Sequence, residues 1–178
     1  ASLLSFRTLE ELFNVYQGDR EALCDRLIDT AADAYIRRTC VKAIGQNCYR
    51  SMADRVMPLL KSPQLNMQID AARTLGQLAY EPAYHEILAM AKHERWELRA
   101  IVATALATYG ADQNTDTLID LVCDREWWVR YRAAESLTQC SDIDGVLARV
   151  TARNDRYALE MLRFALDKKA LRSRKGVA

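Results

Sequence analysis

The sequence is poor in the two residues that tight turns use most, because its 178 residues include only six glycines and three prolines. Sheet proteins need many such turns, so the shortage favours an all-helical chain. No stretch of about 18 residues lacks charged side chains, which excludes a membrane-spanning helix. Half of the residues are hydrophobic, a content that excludes a disordered chain and suffices for a buried core.

A surplus of charge of one sign is also missing, since 25 basic and 24 acidic side chains leave a formal net charge of +1. Dedicated nucleic-acid-binding domains are usually strongly basic, so this balance argues against that class at the repeats. The last 16 residues nevertheless carry six basic residues and one acidic residue. Two interpretations stay open, a solvated last helix with cations near its C-terminal dipole and a basic tail in weak contact with an anionic partner. Apart from Arg163, the cations of this tail are Lys168, Lys169, Arg172, Arg174 and Lys175.

The five cysteines include no C-x-x-C pair, and their odd number argues against a disulfide framework. We therefore expect free thiols in a reducing cytoplasm. Cys40 and Cys123 lie in apolar runs, where cysteine behaves as a small hydrophobic residue. Residues 1–6 lack the basic region and long apolar run of a signal peptide, so none is expected.

An internal repeat of 31 residues organises the chain. The segment Trp127–Leu137 has counterparts that begin 31, 62 and about 93 residues earlier. In each register an apolar residue is followed by small residues four and five positions later and by an aliphatic residue eight positions later. These spacings lie on one face of a helix. A second apolar column at 56–60, 87–91 and 118–122 makes each unit a short helix, a tight turn and a longer helix.

The repeat predicts a single all-α domain of about five two-helix units, with an extra N-terminal helix at residues 1–18. The units are predicted at 20–48, 52–79, 83–109, 114–140 and 143–172. The last unit is degenerate, as expected of a terminal unit that has one polar outer face. Its predicted core residues are Val146, Val150, Tyr157, Met161, Leu162 and Ala165. Three glycines are predicted to stop the long helices or to allow close packing, namely Gly45, Gly76 and Gly110.

The pattern Asp124-x5-Arg130, overlapping Val129-Arg130-x-x-Ala133-Ala134-x-x-Leu137, resembles the HEAT repeat, most of all its short bacterial form, called PBS-lyase-like or EZ-type. The resemblance covers residues 52–140 and extends to about 20–170 with the end units. It implies a right-handed α-solenoid whose second helices line a concave face, with an Asp–Arg ladder along the turns. The ladder is incomplete here. Its acidic position holds Ser62, His93 and Asp124, and its basic position holds Gln68, Arg99 and Arg130.

Three tryptophans near the starts of the long helices indicate a protein-docking patch, because Trp, Tyr and Arg dominate interaction hot spots. The predicted patch comprises Trp96, Trp127, Trp128, Tyr131, Arg132, Arg99 and Arg130. The alternative is that one tryptophan fills the gap between stacked units, and adjacent tryptophans are not expected to place both rings on one side of a helix. For Arg99 and Arg130 we favour the structural role in the ladder.

The two histidines occur as His85-Glu86 and His93-Glu94. Deoxyhypusine hydroxylase, another HEAT-repeat protein, binds two irons through His-Glu pairs at equivalent repeat positions. Here the pairs are eight residues apart and not equivalent, so neither a metal site nor a cofactor is predicted. We expect His93 to support a helix N-terminus, as Asp124 would in the next unit. No nucleophile elbow or phosphate loop is present, so no catalytic residue is predicted.

The function predicted from the sequence is that of a non-catalytic scaffold or adaptor, which binds a partner protein along its concave helices. Two enzymatic alternatives follow from the same resemblance. Alkylpurine DNA glycosylases have HEAT-like repeats, but they need a basic groove, and the second helices here mix cations with anions. Bilin lyase subunits resemble this repeat class too, although no residue here specifies a bilin.

Overall fold

The computed structural model describes residues 16–30 and 33–175. This part of the chain contains ten α-helices and no strand. The helices are α1 Arg20–Thr30, α2 Ala34–Gln46, α3 Ala53–Val56, α4 Leu65–Gln77, α5 Tyr84–Ala89, α6 Trp96–Gly110, α7 Thr115–Val122, α8 Trp127–Leu137, α9 Ile143–Ala152 and α10 Arg156–Lys175. Short 3-10 segments extend α3, α5 and α7. None of the described helices is both long and apolar enough to cross a membrane.

The helices alternate between a short and a long element, so the all-α class and the two-helix repeat are confirmed. Within a unit, α1 packs on α2, α7 on α8 and α9 on α10. Between consecutive repeats the long helices lie side by side, α2 against α4, α6 against α8 and α8 against α10. Contacts divide the chain into two compact units, one up to Tyr80 and one from Glu81. The predicted helix at 1–18 lies outside the described residues, except for 16–18, which are not helical.

Each long helix buries a stripe of apolar residues and brings its neighbour close through small ones. In α8, Val129, Ala133 and Leu137 are fully buried at successive four-residue spacings. The helices approach closely enough for a hydroxyl group on one long helix to donate a hydrogen bond to a backbone carbonyl of the next. Ser136 Oγ donates to the carbonyl of Ala103 at 2.7 Å, and the residue two repeats earlier, Thr74, donates to the carbonyl of Val41 at 2.8 Å. Both hydroxyls lie in the core with their hydrogen-bonding needs met.

The terminal unit follows the predicted pattern except at the start of its long helix. Val146, Val150, Leu162 and Ala165 are buried as predicted, and Met161 is half-buried. The prediction for Tyr157 is wrong, because its side chain is 67% exposed and the fully buried residue is Ala158. The buried residues of α10 are Ala158, Leu162 and Ala165, spaced four and three residues apart on one helix face, and Tyr157 lies beside that face.

The ends of the long helices recur with the repeat, and Gly110 takes the predicted role of a helix stop. Gly45 takes the alternative role of close packing, because a Cβ at this position would lie 3.1 Å from Thr74 Cα on α4. Backbone φ is positive at Cys48 (56°), Ala79 (46°) and Gly110 (123°), positions that are 31 residues apart. Gly45 and Gly76 lie three residues earlier, buried inside their helices. After α4, the amide of Ala79 donates to the carbonyl of Gly76 and the amide of Tyr80 to that of Leu75, each at 3.1 Å, as in a Schellman motif. Non-glycine residues therefore take the left-handed position at two of these ends.

The five cysteines carry free thiols. Cys40 is buried as a small hydrophobic residue, as predicted, whereas Cys123 is only half-buried and Cys48 is exposed. The thiol of Cys24 faces the carbonyl oxygen of Cys40 at 3.9 Å. Its contact with Cys40 and its burial raise the pKa of the Cys24 thiol, which keeps it protonated.

We predict that Ala79→Gly stabilises the protein by about 0.5–1 kcal/mol, because alanine is strained in the left-handed region and glycine is not. The opposite change at the equivalent position, Gly110→Ala, should destabilise by about 1–3 kcal/mol. Urea unfolding followed by circular dichroism measures both. The assignment of position 79 as a left-handed helix end would be contradicted if both changes altered the free energy of unfolding equally, or if Ala79→Gly lowered it.

Candidate functional site

The predicted site residues lie on the long helices of the second compact unit. Trp96 is the first residue of α6 and Trp127 the first residue of α8, so the 31-residue period places both at the same end of neighbouring helices. Their side chains are 36% and 47% exposed, and that of Trp128 is 51% exposed. The alternative that one of these tryptophans fills the gap between units is therefore wrong.

Trp127, Trp128 and Tyr131 form a packed group of rings, which we name the aromatic cluster. The rings of Trp127 and Tyr131 are stacked, with centroids 5.2 Å apart, as their four-residue spacing on one helix allows. The Trp128 ring meets the Trp127 ring edge-on at 4.7 Å. The expectation that adjacent tryptophans place their rings on different sides is wrong. Both indoles lie in the first turn of α8, where no preceding turn crowds them and long side chains lean towards the helix start.

Tyr131 connects the aromatic cluster to the last helix. Its hydroxyl donates to Glu135 Oε1 at 2.7 Å, and Lys168 Nζ on α10 donates to the same oxygen at 2.8 Å. Lys168 also contacts the Tyr131 hydroxyl and lies 4.8 Å from the centre of its ring. Arg132 reaches the other oxygen of Glu135 at 3.2 Å. Burial raises the pKa of Glu135, but the bonds from Lys168 and Tyr131 outweigh it and leave this pKa lowered, so the carboxylate stays ionised.

An open groove of about 400 Å³ lies beside this network, between α6, α8 and α10. We name it the cationic groove, because four cations line it against one carboxylate. Its lining residues are Thr104, Ala107, Thr108, Arg132, Glu135, Ser136, Thr138, Gln139, Ala165, Lys168, Lys169 and Arg172. Among the tail cations, Lys168, Lys169 and Arg172 thus face the groove rather than forming a separate tail. Arg174 is exposed farther along α10, and the side chain of Lys175 lies outside the described part.

Sequence reasoning missed the contribution of α6 to this groove, although a signal was present. Polar residues at a four-residue spacing recur on α6, at the C-terminal end of α8 and on α10. The pairs are Thr104 and Thr108, Glu135 and Gln139, and Lys168 and Arg172. A four-residue spacing keeps the pairs of α6 and α10 on one helix face each, and Gln139 lies two residues after the end of α8. The column of polar pairs therefore predicts a continuous polar strip across the three helices.

Arg99 is buried in the structure and serves the ladder. Its guanidinium binds Asp124 in the next repeat through two hydrogen bonds, Nε to Oδ2 at 2.7 Å and Nη2 to Oδ1 at 2.8 Å. Its Nη1 donates to the carbonyls of His93 and Glu94 at 2.8 and 3.0 Å. Because these contacts occupy the side chain and it is 6% exposed, Arg99 belongs to the scaffold rather than to the docking surface.

Arg130 repeats part of this arrangement one unit later. Its Nη1 donates to the carbonyls of Asp124 and Arg125 at 2.8 and 3.3 Å, the residues equivalent to His93 and Glu94. In place of a carboxylate, the guanidinium lies 5.8 Å from the ring centre of Tyr157. The acid at the equivalent position, Asp155, instead accepts from the amide of Ala158 at 3.1 Å. Among the described residues, the predicted ladder therefore has one complete rung, between Arg99 and Asp124, and its next acid caps α10.

The acidic position of the ladder has a second role, which is to hold the turn before each long helix. The side chain at this position accepts a hydrogen bond from the amide two residues later, as in an Asx turn. The bonds run from Gln64 to Ser62 Oγ at 3.2 Å, from Arg95 to His93 Nδ1 at 3.0 Å and from Glu126 to Asp124 Oδ1 at 2.9 Å. The predicted role of His93 at a helix N-terminus is confirmed. Within the described ranges, no group of three or more His, Cys, Asp or Glu side chains has a metal-binding arrangement.

Comparison with known proteins agrees with this architecture. Residues 84–166 match the family model described as HEAT repeats, so the resemblance is confirmed over that segment, which includes the aromatic cluster. Its bacterial, EZ-type character stays a prediction. No curated protein matches the sequence.

Among the solved structures that match, one is titled "Crystal Structure of Engineered Protein. Northeast Structural Genomics Consortium Target OR329". It is 15% identical, with a TM-score of 0.54, and the match covers 93% of this chain and 92% of that one. At this identity the likeness shows the fold alone.

We predict that Asp124→Asn destabilises the protein by about 3 kcal/mol at neutral pH, because it leaves Arg99 buried without its counter-charge. Burial raises the pKa of Asp124, yet hydrogen bonds from Arg99 and from the Glu126 amide lower it below its ordinary value of 3.8. The stabilisation is thus present above that value and lost as the pH falls through the lower folded-state pKa. The difference in unfolding free energy between wild type and variant should shrink below about pH 4.

The matched control is Asp116→Asn, which removes an ion pair with Arg149 in which the Asp116 side chain is 89% exposed. Its effect should stay below about 1 kcal/mol. Urea titrations from neutral to acidic pH measure both variants. A loss in Asp124→Asn no larger than in Asp116→Asn would show that the buried rung does not hold the repeats together.

Proposed function

We propose that this chain is a non-catalytic helical-repeat scaffold, which binds a partner protein on the long-helix face of residues 96–172. The observation that carries the proposal is the aromatic cluster, two tryptophans and a tyrosine that pack on each other while the tryptophans stay about half-exposed. Exposed apolar surface of this kind marks interaction sites, and Trp, Tyr and Arg are the commonest hot-spot residues.

The mechanism is presentation on a rigid support. Tyr131 is fixed by its bond to Glu135 at 2.7 Å and by the Lys168 contacts, and Trp127 is stacked on Tyr131. Side chains already held in place lose little conformational entropy when a partner binds. Trp96 and Arg132 extend the same face. Arg99 and Arg130 stabilise the turns before α6 and α8, because they donate to backbone carbonyls there.

We predict that Trp128→Ala weakens binding of the captured partner at least about thirtyfold, the loss of an interface hot spot of about 2 kcal/mol. The partner is first isolated by affinity capture with the wild-type chain and then titrated in purified form against each variant by calorimetry. Trp127→Ala should weaken binding similarly and should also release the stacked Tyr131 ring. Because both indoles are about half-exposed, the melting temperature should change little.

Tyr16→Ala is the matched control, because the Tyr16 side chain is 42% exposed and belongs to the first compact unit, outside the proposed docking face. This variant should keep wild-type affinity. Full partner affinity in the Trp127→Ala and Trp128→Ala double variant would exclude the aromatic cluster as the docking site.

The nucleic-acid-acting alternative draws on one specific observation, the four cations of the groove. It predicts salt-dependent binding of a DNA fragment by the same chain. The peptide and DNA titrations described below separate it from the scaffold function.

A further inference from the structure

We propose that the cationic groove binds an acidic peptide segment, so that the partner presents carboxylates next to the apolar residues that meet the aromatic cluster. This inference rests on the proposed function, because it names the chemistry of the partner.

The only carboxylate in the groove lining is already saturated with donors. Glu135 accepts from Tyr131 and Lys168 through one oxygen and from Arg132 through the other. Its charge is compensated before any ligand arrives. It therefore leaves little negative potential to repel an incoming carboxylate.

Lys169 and Arg172 do not contact this carboxylate, and Arg132 contacts it through one nitrogen. Lys169 Nζ donates to the backbone carbonyl of Thr138 at 2.5 Å, a neutral partner at the end of α8. Arg172 lines the groove at the next turn of α10, and within the described part of the chain it forms no ion pair. Arg132 spends one contact on Glu135 and is 46% exposed at its side chain. The groove thus carries an excess of positive charge that a ligand has to neutralise.

The shape and chemistry of the cations suit carboxylates. The guanidinium groups of Arg132 and Arg172 are planar, and such groups bind carboxylates through two parallel hydrogen bonds. Gln139 lines the same wall and adds an amide donor. Lys168 and Arg172 are one turn apart on α10, while Glu135 lies on α8 and Gln139 just after its end, so polar groups border the groove along its length.

The positive charge is local, which favours a peptide over a nucleic acid. Residues 81–178 carry 15 basic and 15 acidic side chains, so the unit as a whole is neutral. Nucleic-acid-binding domains instead spread basic charge over a whole face. The cationic groove also meets the aromatic cluster at Tyr131, since Lys168 and Arg132 lie 4.8 and 5.7 Å from that ring centre. An acidic stretch followed by an apolar residue fits both features.

The test measures binding of short labelled peptides to the full chain by fluorescence anisotropy. One peptide consists of glutamates with a single phenylalanine, and its twin has glutamine at every glutamate. The wild-type chain should bind the glutamate peptide at least about tenfold more tightly than the twin. This preference should shrink as the ionic strength rises and the screening length falls. Equal binding of the two peptides, or no binding of either, overturns the proposal.

The variants locate the site. The double variant Lys169→Gln and Arg172→Gln should lose about tenfold or more of the affinity for the glutamate peptide. Arg149→Gln is the charge-matched control, because Arg149 lies on α9 and pairs with Asp116 away from the groove, and it should bind like wild type. An unchanged affinity in the double variant overturns the proposal, and an unchanged thermal midpoint shows that a lost affinity is not due to unfolding.

Two further outcomes separate this inference from others. A DNA oligonucleotide that binds more tightly than the glutamate peptide, and loses affinity in the same double variant, would overturn the peptide assignment in favour of nucleic acid. If the captured partner binds the wild type and the double variant with equal affinity, contains no acidic segment and still loses affinity in Trp128→Ala, the groove inference fails while the scaffold function stands. A partner affinity that changes neither in Trp128→Ala nor in the double variant would contradict both the scaffold function and the groove inference.

Discussion

The ion pair between Arg99 and Asp124 is the interaction on which the second compact unit depends. It joins the start of α6 to the turn before α8 through two hydrogen bonds of 2.7 and 2.8 Å, with both side chains about nine-tenths buried. Asp124 also accepts from the amide of Glu126, so one carboxylate fixes the spacing of two repeats and the point where α8 begins. A buried pair of this kind is sensitive to the loss of either partner. Through it, a structural contact sets the position of Trp127 and Trp128.

The cationic groove follows from a mismatch in helix length. Helix α8 has 11 residues and α10 has 20, which corresponds to about 16 and 30 Å at 1.5 Å per residue. The small residues of α8 let α10 pack closely, but the last turns of α10 extend past the end of α8. Lys169 bonds to the carbonyl of Thr138 at that end, where the helix dipole favours a cation. Arg172 lies one turn after Lys168 on α10, without a protein carboxylate to bind among the described residues.

The two-helix repeat could be predicted because it rests on spacing alone, and the 31-residue period located the helix pairs. The Arg99 rung was predicted from the resemblance to HEAT repeats. Features that depend on side-chain direction or local backbone strain could not. Ala79 has the left-handed backbone conformation that glycine usually adopts at a helix end. The inward face of α10 starts at Ala158 rather than at Tyr157. The rings of Trp127 and Trp128 meet because the first turn of a helix leaves them room. The column of polar pairs that lines the groove was readable in the sequence, but only with three long helices already aligned.

The central claim is that the chain binds its partner on the face formed by α8 and α10. Hydrogen–deuterium exchange of the chain, alone and saturated with the partner, tests this most directly because it reports every peptide of the protein at once. The account predicts slower exchange in peptides from α8 and from the second half of α10, with the short helices α7 and α9 unchanged. Protection confined to α7 and α9, where the exposed pair of Arg149 and Asp116 lies, with α8 and α10 exchanging as in the free chain, would contradict it.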